Sequence, residues 1–155
     1  MGIKSFQGKR DTSQGKEEVQ ILVSDYMTKK LITFKADDSL DHVINLLITN
    51  KISGGPVVND KNELIGIISE TDCIKHISES KYYNMPTDNN NTVGTNMITN
   101  VDTIDKHMNI FDAASKFINS KRRRFPVVEN GKLIGQLSQK DVLKAALKVK
   151  GNTWK

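Results

Sequence analysis

Cysteine and histidine are scarce in this sequence, and long hydrophobic runs are absent. The single cysteine, Cys73, has no partner for an internal disulfide, which is typical of a reducing compartment. No apolar run approaches the roughly 18 residues that span a membrane, and the first residues lack the apolar core of a secretory signal. We therefore expect a cytoplasmic protein that does not enter a membrane.

The scarcity of reactive residues also argues against catalysis. The three histidines, His42, His76 and His107, have no cysteine or histidine neighbours at the spacing of a metal site. The sequence contains neither a nucleophile elbow nor a glycine-rich phosphate loop. Cys73 and His76 lie three residues apart, without an evident acid to orient the histidine. We expect neither a metal, nor a catalytic cofactor, nor an enzymatic activity.

Positive charge is concentrated in the last quarter of the chain. The 155 residues include 23 Lys and Arg against 18 Asp and Glu, a formal charge of +5. Residues 121–155 hold ten basic and two acidic residues, whereas residues 1–120 hold thirteen basic and sixteen acidic residues. A local basic patch binds either nucleic acid or one small polyanion, and the charge by itself leaves both open.

One sequence unit occurs twice. Gly55-Pro56-Val57-Val58 recurs 70 residues later as Phe125-Pro126-Val127-Val128. Leu64-Ile65-Gly66 recurs 69 residues later as Leu133-Ile134-Gly135, so one residue is lost in the turn between the two motifs. An offset that is constant apart from a single turn deletion indicates a tandem duplication.

Each unit is predicted to form an α+β fold in the order strand, helix, strand, strand, helix. Asp38 or Ser39 can cap the first helix, whose apolar residues follow at helical spacing, and the next strand is predicted from Pro56 to Asn59. Because the helices are amphipathic, one unit leaves apolar surface uncovered, which packing two units sheet to sheet would bury. We predict a flexible segment at residues 1–19, repeat 1 at 20–79, a linker at 80–92, repeat 2 at 93–149 and a tail at 150–155.

Three short motifs occur in the same order in both units. They are Val23-Ser24-Asp25-Tyr26-Met27, Ile52 to Val58 and Gly66 to Asp72 in repeat 1, and Val93-Gly94-Thr95-Asn96-Met97, Arg122 to Val128 and Gly135 to Asp141 in repeat 2. This arrangement resembles the CBS domain family, and the pair resembles a Bateman module, over about residues 20–149. The resemblance implies two pseudo-symmetric repeats with two clefts between them, a homodimer, and adenine nucleotides or S-adenosylmethionine as regulatory ligands. It also implies that the strand-to-helix acid of each repeat faces the early strand and the pre-proline segment of the other.

Ser69-Glu70-Thr71-Asp72 is a helix capping box at a strand-to-helix junction. A helix start that carries hydroxyl groups also offers donors to phosphate, and a carboxylate held there can bind a ribose diol. The box is interpreted either as a cap alone or as a cap and a nucleotide site together, and we favour both roles. Ser138, Lys140 and Asp141 repeat the box, with Lys140 as a point charge for phosphate in place of Thr71.

Lys121-Arg122-Arg123-Arg124 is the densest charge run of the chain. A helix C-terminus accommodates Lys121, but four adjacent cations repel one another, and a bound anion would relieve that repulsion. Guanidinium groups are suited to phosphate. A solvated charge run is the alternative interpretation. By the crossing that the resemblance implies, this run faces Ser69, Thr71 and Asp72.

Two unequal nucleotide sites are therefore predicted. Asp25 occupies the position that Thr95 has in the other repeat and would repel phosphate, so we expect site A to bind polyphosphates more tightly than site B. Predicted site A consists of Ser69, Thr71, Asp72, Thr95, Arg122, Arg123, Arg124, Phe125 and Pro126, and predicted site B of Asp25, Ser53, Gly54, Gly55, Pro56, Ser138, Lys140 and Asp141.

These residues favour a regulatory sensor of AMP, ADP or ATP that signals in trans to an effector protein or through its homodimer. A ligand-free module for dimerisation or protein interaction is the main alternative. Nucleic-acid binding through Lys140, Lys144, Lys148 and Lys150 is a third, which the scarcity of aromatic residues among those lysines disfavours.

Overall fold

The structure is a computed structural model that describes residues 20–83 and 91–153. The predicted flexible segment 1–19, most of the predicted linker and residues 154–155 lie outside the described residues. None of the described helices is long and apolar enough to cross a membrane. Repeat 1 contains α1 (Val23–Tyr26), α2 (Leu40–Asn50), β1 (Gly54–Val58), β2 (Leu64–Ser69) and α3 (Glu70–Tyr83), and repeat 2 contains α4 (Val93–Asn96), α5 (Ile110–Ser120), β3 (Arg124–Glu129), β4 (Lys132–Ser138) and α6 (Gln139–Thr153).

Equivalent residues begin and end α2 and α5. Ser39, rather than its neighbour Asp38, caps α2, because its hydroxyl accepts a hydrogen bond from a backbone N–H of the first turn. Asn109 caps α5 in the same way. Both helices end at a lysine in the left-handed conformation, with φ of 56° at Lys51 and 60° at Lys121. The chain therefore reverses direction at each of these lysines, and the following segment returns toward the hairpin strands.

Each repeat contributes one antiparallel hairpin, β1 with β2 and β3 with β4. Both hairpins contain a register shift at the same place, between Val57 and Val58 and between Val127 and Val128. The first strand begins at Gly54, two residues before the predicted start, because it remains paired with β2 as far as Ser69. The duplication therefore preserves the local irregularity of the hairpin as well as its apolar pattern.

Short extended segments cross between the repeats and extend the hairpins. Thr28 of repeat 1 pairs with Gln136 of β4, with two backbone hydrogen bonds of 2.9 Å. Ile98 of repeat 2 pairs with Ile67 of β2, also with two bonds of 2.9 Å. The early segment of each repeat thus pairs with the second hairpin strand of the other, and these bridges join the two hairpins into one module.

The hydrophobic core is divided into two clusters that exchange their first elements. Ile21 and Val23, which precede and begin α1, are buried with the side chains of repeat 2. Val93, the first residue of α4, is buried with those of repeat 1. Backbone hydrogen bonds of 2.9 Å from Val23 to Met108 and from Val93 to Asp38 hold both segments in place. Neither core is complete without the other repeat.

Gly54 begins β1, pairs with Ser69 of β2 and lines both of the clefts described below. A Cβ atom at this position would be 2.7 Å from the Ile68 carbonyl oxygen and 3.1 Å from the Ser69 Cα. Both are backbone atoms, so the strands must separate to admit it. We expect Gly54→Ala to lower the free energy of unfolding by about 1–3 kcal/mol, measured by urea unfolding.

The matched control for this substitution is Gly151→Ala. Gly151 lies in α6 with no atom within 4 Å of an added Cβ. Alanine there should leave stability unchanged or raise it by about 0.5–1 kcal/mol. Equal effects of the two substitutions would contradict the steric argument at Gly54.

Candidate functional site

Cleft A lies between the start of α3 and the segment that leads into β3. Its volume is about 610 Å³, within the range of roughly 300–1,000 Å³ that holds a small organic ligand. Both repeats contribute to its walls. The lining residues are Ser53, Gly54, Ile67, Ser69, Glu70, Thr71, Ile98, Ser120, Lys121, Arg122, Arg123 and Arg124.

The start of α3 forms one wall of cleft A and is organised by the predicted capping box. One carboxylate oxygen of Asp72, Oδ2, accepts hydrogen bonds from the Ser69 backbone N–H at 2.9 Å and from the Ser69 hydroxyl at 3.0 Å. The Asp72 backbone N–H donates to the Ser69 hydroxyl oxygen at 3.4 Å. The second oxygen, Oδ1, accepts no hydrogen bond among the described residues. The box therefore caps the helix and leaves one carboxylate oxygen available beside the exposed Thr71.

Two of the three arginines on the opposite wall are already engaged. The Arg122 Nε donates to the Asp102 carboxylate at 2.9 Å. Arg124 turns toward repeat 1, where its guanidinium donates to the Gly54 carbonyl oxygen at 3.2 Å and to the Ser53 hydroxyl. Burial, and after it the charge of the neighbouring arginine, lower the pKa of Arg124. These two side chains hold the wall together.

Arg123 is the arginine of the run that remains available. Its side chain is exposed and makes no hydrogen bond or ion pair within the described parts of the chain. Lys121, which is also exposed, lies beside it in the lining of cleft A. Glu70 is the one acid in that lining. Cleft A therefore combines a helix N-terminus with two uncommitted cations.

Four predicted residues of site A do not line cleft A, and one of them is Asp72, which lies behind the lining residues Ser69 and Thr71 of its own capping box. The side chain of Phe125 is fully buried, and its ring centroid lies 4.7 Å from that of Phe117, so it is a core residue. Pro126 is also buried, in the middle of β3. Thr95 is exposed on α4, where its hydroxyl donates to the Thr92 carbonyl oxygen at 3.1 Å. The ring of Phe125 is thus not accessible to a ligand.

Cleft B is the counterpart on the other side of the pseudo-symmetric module. It encloses about 760 Å³. Four residues line both clefts, namely Ser53, Gly54, Glu70 and Arg124. The other lining residues are Leu47, Ile48, Lys51, Ile52, Gln136, Ser138 and Lys140.

Half of the predicted site B lies elsewhere. Asp25 is exposed on α1, and its carboxylate accepts from the Leu22 backbone N–H at 3.0 Å rather than facing cleft B. Gly55 and Pro56 are buried within β1. Asp141 is 7% exposed and accepts a hydrogen bond of 2.8 Å from the backbone N–H of the preceding serine. Ser53, Gly54, Ser138 and Lys140 are the predicted members that line cleft B.

The sequence offered a signal for several lining residues that the predictions omitted. Lys51 and Lys121 occupy the same position at the offset of 70 residues, and each lines one cleft. Cleft B therefore contains more positive charge than Lys140 alone would supply. At the offset of 69, Ile67 of cleft A corresponds to Gln136 of cleft B. Because both strands were predicted as apolar, the change from an isoleucine in cleft A to a glutamine in cleft B was not anticipated.

Cys73 and His76 do not form a reactive pair. Cys73 is 3% exposed, and burial, followed by the charges of Asp72 and Glu70, raises the pKa of its thiol. A raised pKa opposes formation of the thiolate, which is the nucleophilic form. Within residues 20–83 and 91–153, no group of three or more His, Cys, Asp and Glu residues is arranged to hold a metal ion.

Comparisons with known proteins identify the fold of both repeats. The CBSX1 protein of Arabidopsis thaliana, named as chloroplastic, is 31% identical over 83% of this chain. The MJ1225 protein of Methanocaldococcus jannaschii is 29% identical over 79% of it. The chain spans 65% of the first relative and 41% of the second. A crystal structure of CBSX2 in complex with AMP superposes with a TM-score of 0.75 at 32% identity and covers 83% of this chain and 98% of that one. The CBS domain model matches residues 23–79 and 92–148, and the chain belongs to the CBS domain family as a tandem pair.

Proposed function

We propose that this protein is a regulatory module that binds an adenine nucleotide in cleft A and acts in trans on an effector protein or through its own homodimer. The proposal rests on one observation: the α3 capping box forms one wall of cleft A, and the exposed cations Arg123 and Lys121 lie on the opposite wall. We further propose that it acts in the cytoplasm and performs no chemistry on the nucleotide.

Each part of a nucleotide has a complementary group in cleft A. The backbone N–H and the hydroxyl of Thr71 suit a phosphate, because a helix N-terminus carries a partial positive charge. The neighbouring N–H groups of α3 already donate, that of Glu70 to the Ser53 carbonyl oxygen and that of Asp72 to the Ser69 hydroxyl. Arg123 would neutralise the phosphate from the opposite wall. We assign the ribose diol to the Oδ1 of Asp72, which follows the lining residue Thr71 and accepts no hydrogen bond among the described residues. Ile98, which is 48% exposed, and Ile67 offer apolar surface for a purine ring.

The AMP bound to CBSX2 supports the choice of ligand, because the CBSX2 sequence in that structure is 32% identical to this chain. S-adenosylmethionine shares the adenosine but has one carboxylate, an ammonium and a sulfonium in place of phosphate, so it would gain less from the cations Arg123 and Lys121. We therefore expect AMP, ADP or ATP to bind more tightly than S-adenosylmethionine.

Cleft B is proposed as the weaker site. Its arginine, Arg124, is already bonded to Ser53 and Gly54. The carboxylate of Asp141 is buried, in contrast to the half-buried Asp72. A ligand in cleft B would therefore rely on Lys51 and Lys140 for its phosphate and would find the polar Gln136 where cleft A has an isoleucine.

Thermal unfolding with ATP, ADP, AMP and S-adenosylmethionine, each with and without magnesium, tests the proposal. A ligand at about 100 times its Kd stabilises the folded state by about 2.7 kcal/mol, which raises the Tm of a domain of this size by roughly 5–10 °C. We expect such a shift with at least one adenine nucleotide, and we expect Arg123→Ala to abolish most of it.

The control for Arg123→Ala is Lys132→Ala, which removes one exposed positive charge at the far end of the β3–β4 hairpin. This variant should keep the full shift. Absence of a shift with every ligand would overturn the nucleotide proposal in favour of the ligand-free interaction module. Equal loss in both variants would mean that net charge, rather than cleft A, determines the binding.

A further inference from the structure

One guanidinium group lies between the two clefts. Arg124 lines both of them, together with Ser53, Gly54 and Glu70. Its guanidinium donates to the Ser53 hydroxyl and, at 3.2 Å, to the Gly54 carbonyl oxygen. A guanidinium has five N–H donors, and the others of Arg124 have no acceptor among the described residues. This side chain therefore belongs to neither cleft alone.

The duplication does not supply a second arginine of this kind. Arg124 corresponds to Gly54 at the offset of 70 residues, and Glu70 corresponds to Gln139 at the offset of 69. A Cβ atom at Gly54 would be 2.7 Å from the Ile68 carbonyl oxygen, so repeat 1 cannot carry the matching arginine unless β1 and β2 separate. Two clefts that are related by pseudo-symmetry therefore share a single guanidinium where they meet.

The acceptors that now hold Arg124 are weak compared with a phosphate. The hydroxyl of Ser53 and the carbonyl of Gly54 are both neutral, whereas a hydrogen bond to a charged oxygen is roughly twice as strong. Arg124 is half-buried, and burial, followed by the charge of Arg123, lowers its pKa. A nearby anion stabilises a cation in such a place. A phosphate in either cleft can therefore draw the guanidinium to itself.

We propose that Arg124 couples the two clefts, so that a nucleotide phosphate bound in one cleft weakens phosphate binding in the other. The inference rests on the proposed function, because it concerns the regulation of the same clefts. The guanidinium turns toward the phosphate that is bound and is withdrawn from the opposite cleft. While cleft A is occupied, cleft B has only Lys51 and Lys140 for its phosphate. The coupling is reciprocal by thermodynamic necessity, and the module responds chiefly to a single bound nucleotide.

Isothermal titration with ATP measures this coupling. In the unsubstituted chain, the weaker of two binding steps gives the Kd of cleft B with cleft A occupied. Ile98→Trp gives the Kd of cleft B with cleft A blocked, because Ile98 is uncharged, is 48% exposed and lines cleft A but not cleft B. We expect the Kd of cleft B to be about 5- to 100-fold lower in Ile98→Trp than in the unsubstituted chain. Arg123→Ala disables cleft A without a larger side chain and should give the same result.

The titration also separates this inference from the proposed function. Equal Kd values of cleft B in the unsubstituted chain and in the blocked variants, or no ATP binding to those variants, would overturn the coupling alone. Absence of ATP binding to the unsubstituted chain would overturn the nucleotide proposal and the coupling with it.

Arg124→Gln separates competition for Arg124 from direct repulsion between two bound nucleotides. If the clefts compete for the guanidinium, the Kd of cleft B in Arg124→Gln should be the same with and without the Ile98→Trp block. Direct repulsion predicts the opposite, since the coupling would persist or increase once the cation between the clefts is removed, and that result would overturn the role of Arg124. The matched control is Arg122→Gln, because Arg122 is bonded to Asp102 and lines cleft A but not cleft B. The coupling should persist in this control.

Discussion

Phe125→Ala is expected to destabilise the protein by about 3–5 kcal/mol and to lower its Tm by roughly 10 °C. The side chain is fully buried, its ring packs against Phe117 with the centroids 4.7 Å apart, and the Lys116 Nζ lies 5.4 Å above the ring. Removing the ring leaves a cavity in the core of repeat 2 that includes the exchanged residues Ile21 and Val23. Urea and thermal unfolding measure the loss.

Phe111→Ala is the matched control, because Phe111 lies on α5 of the same repeat and is 42% exposed. It should change the free energy of unfolding by roughly 0.5 kcal/mol or less. The sequence predicted a ligand contact for Phe125, and the comparison discriminates between the two roles. If Phe125→Ala kept the native Tm and lost nucleotide binding, the ring would be a ligand contact and the core assignment would be wrong.

Asp72→Ala is expected to weaken nucleotide binding by about 10- to 100-fold, because a hydrogen bond to a charged group is worth about 1.5–3 kcal/mol. The residue has one carboxylate oxygen without a hydrogen bond among the described residues, and it follows Thr71, which lines cleft A. Isothermal titration with ATP, or with the nucleotide that gives the largest thermal shift, measures the change in Kd.

Asp141→Ala is the control for the loss of a helix cap. Asp72 and Asp141 accept equivalent hydrogen bonds, of 2.9 and 2.8 Å, from the backbone N–H of Ser69 and Ser138. Each substitution should therefore cost a similar amount of stability, about 1 kcal/mol, while the effect on binding differs. If Asp141→Ala weakened ATP binding more than Asp72→Ala, cleft B would be the tighter site and the proposed ranking would be reversed.

The capping boxes are the part of the candidate site that the local sequence predicts. The spacing of Ser69 and Asp72 predicted their mutual hydrogen bonds, since both partners lie within one helical turn. The arginine run was harder to interpret, because adjacent residues of one type carry no information about their separate partners. The structure assigns Arg122 to Asp102, twenty residues away, and Arg124 to Gly54, seventy residues away.

The lining of the clefts is a second feature that the order of residues in the sequence does not predict. Phe125 and Pro126 share a motif with the lining residue Arg124, yet they are buried, because they lie in the middle of β3, where three consecutive residues are buried. Thr95 was predicted as a site residue from its position in the early motif. The residue of that region that pairs with β2 is instead Ile98. The apolar wall of cleft A arises from the pairing of Ile98 with Ile67 across the repeats.

The sequence by itself determined the duplication, the order of helices and strands, their caps and the apolar stripes of each repeat. These features depend on residues within a few positions of one another, and the repeat offset identifies their equivalents. The tertiary structure alone decided that each core takes its first element from the other repeat, and that Arg124 of repeat 2 reaches Ser53 and Gly54 of repeat 1 between the two clefts. These features depend on contacts about 70 residues apart, which form only when the two repeats pack together.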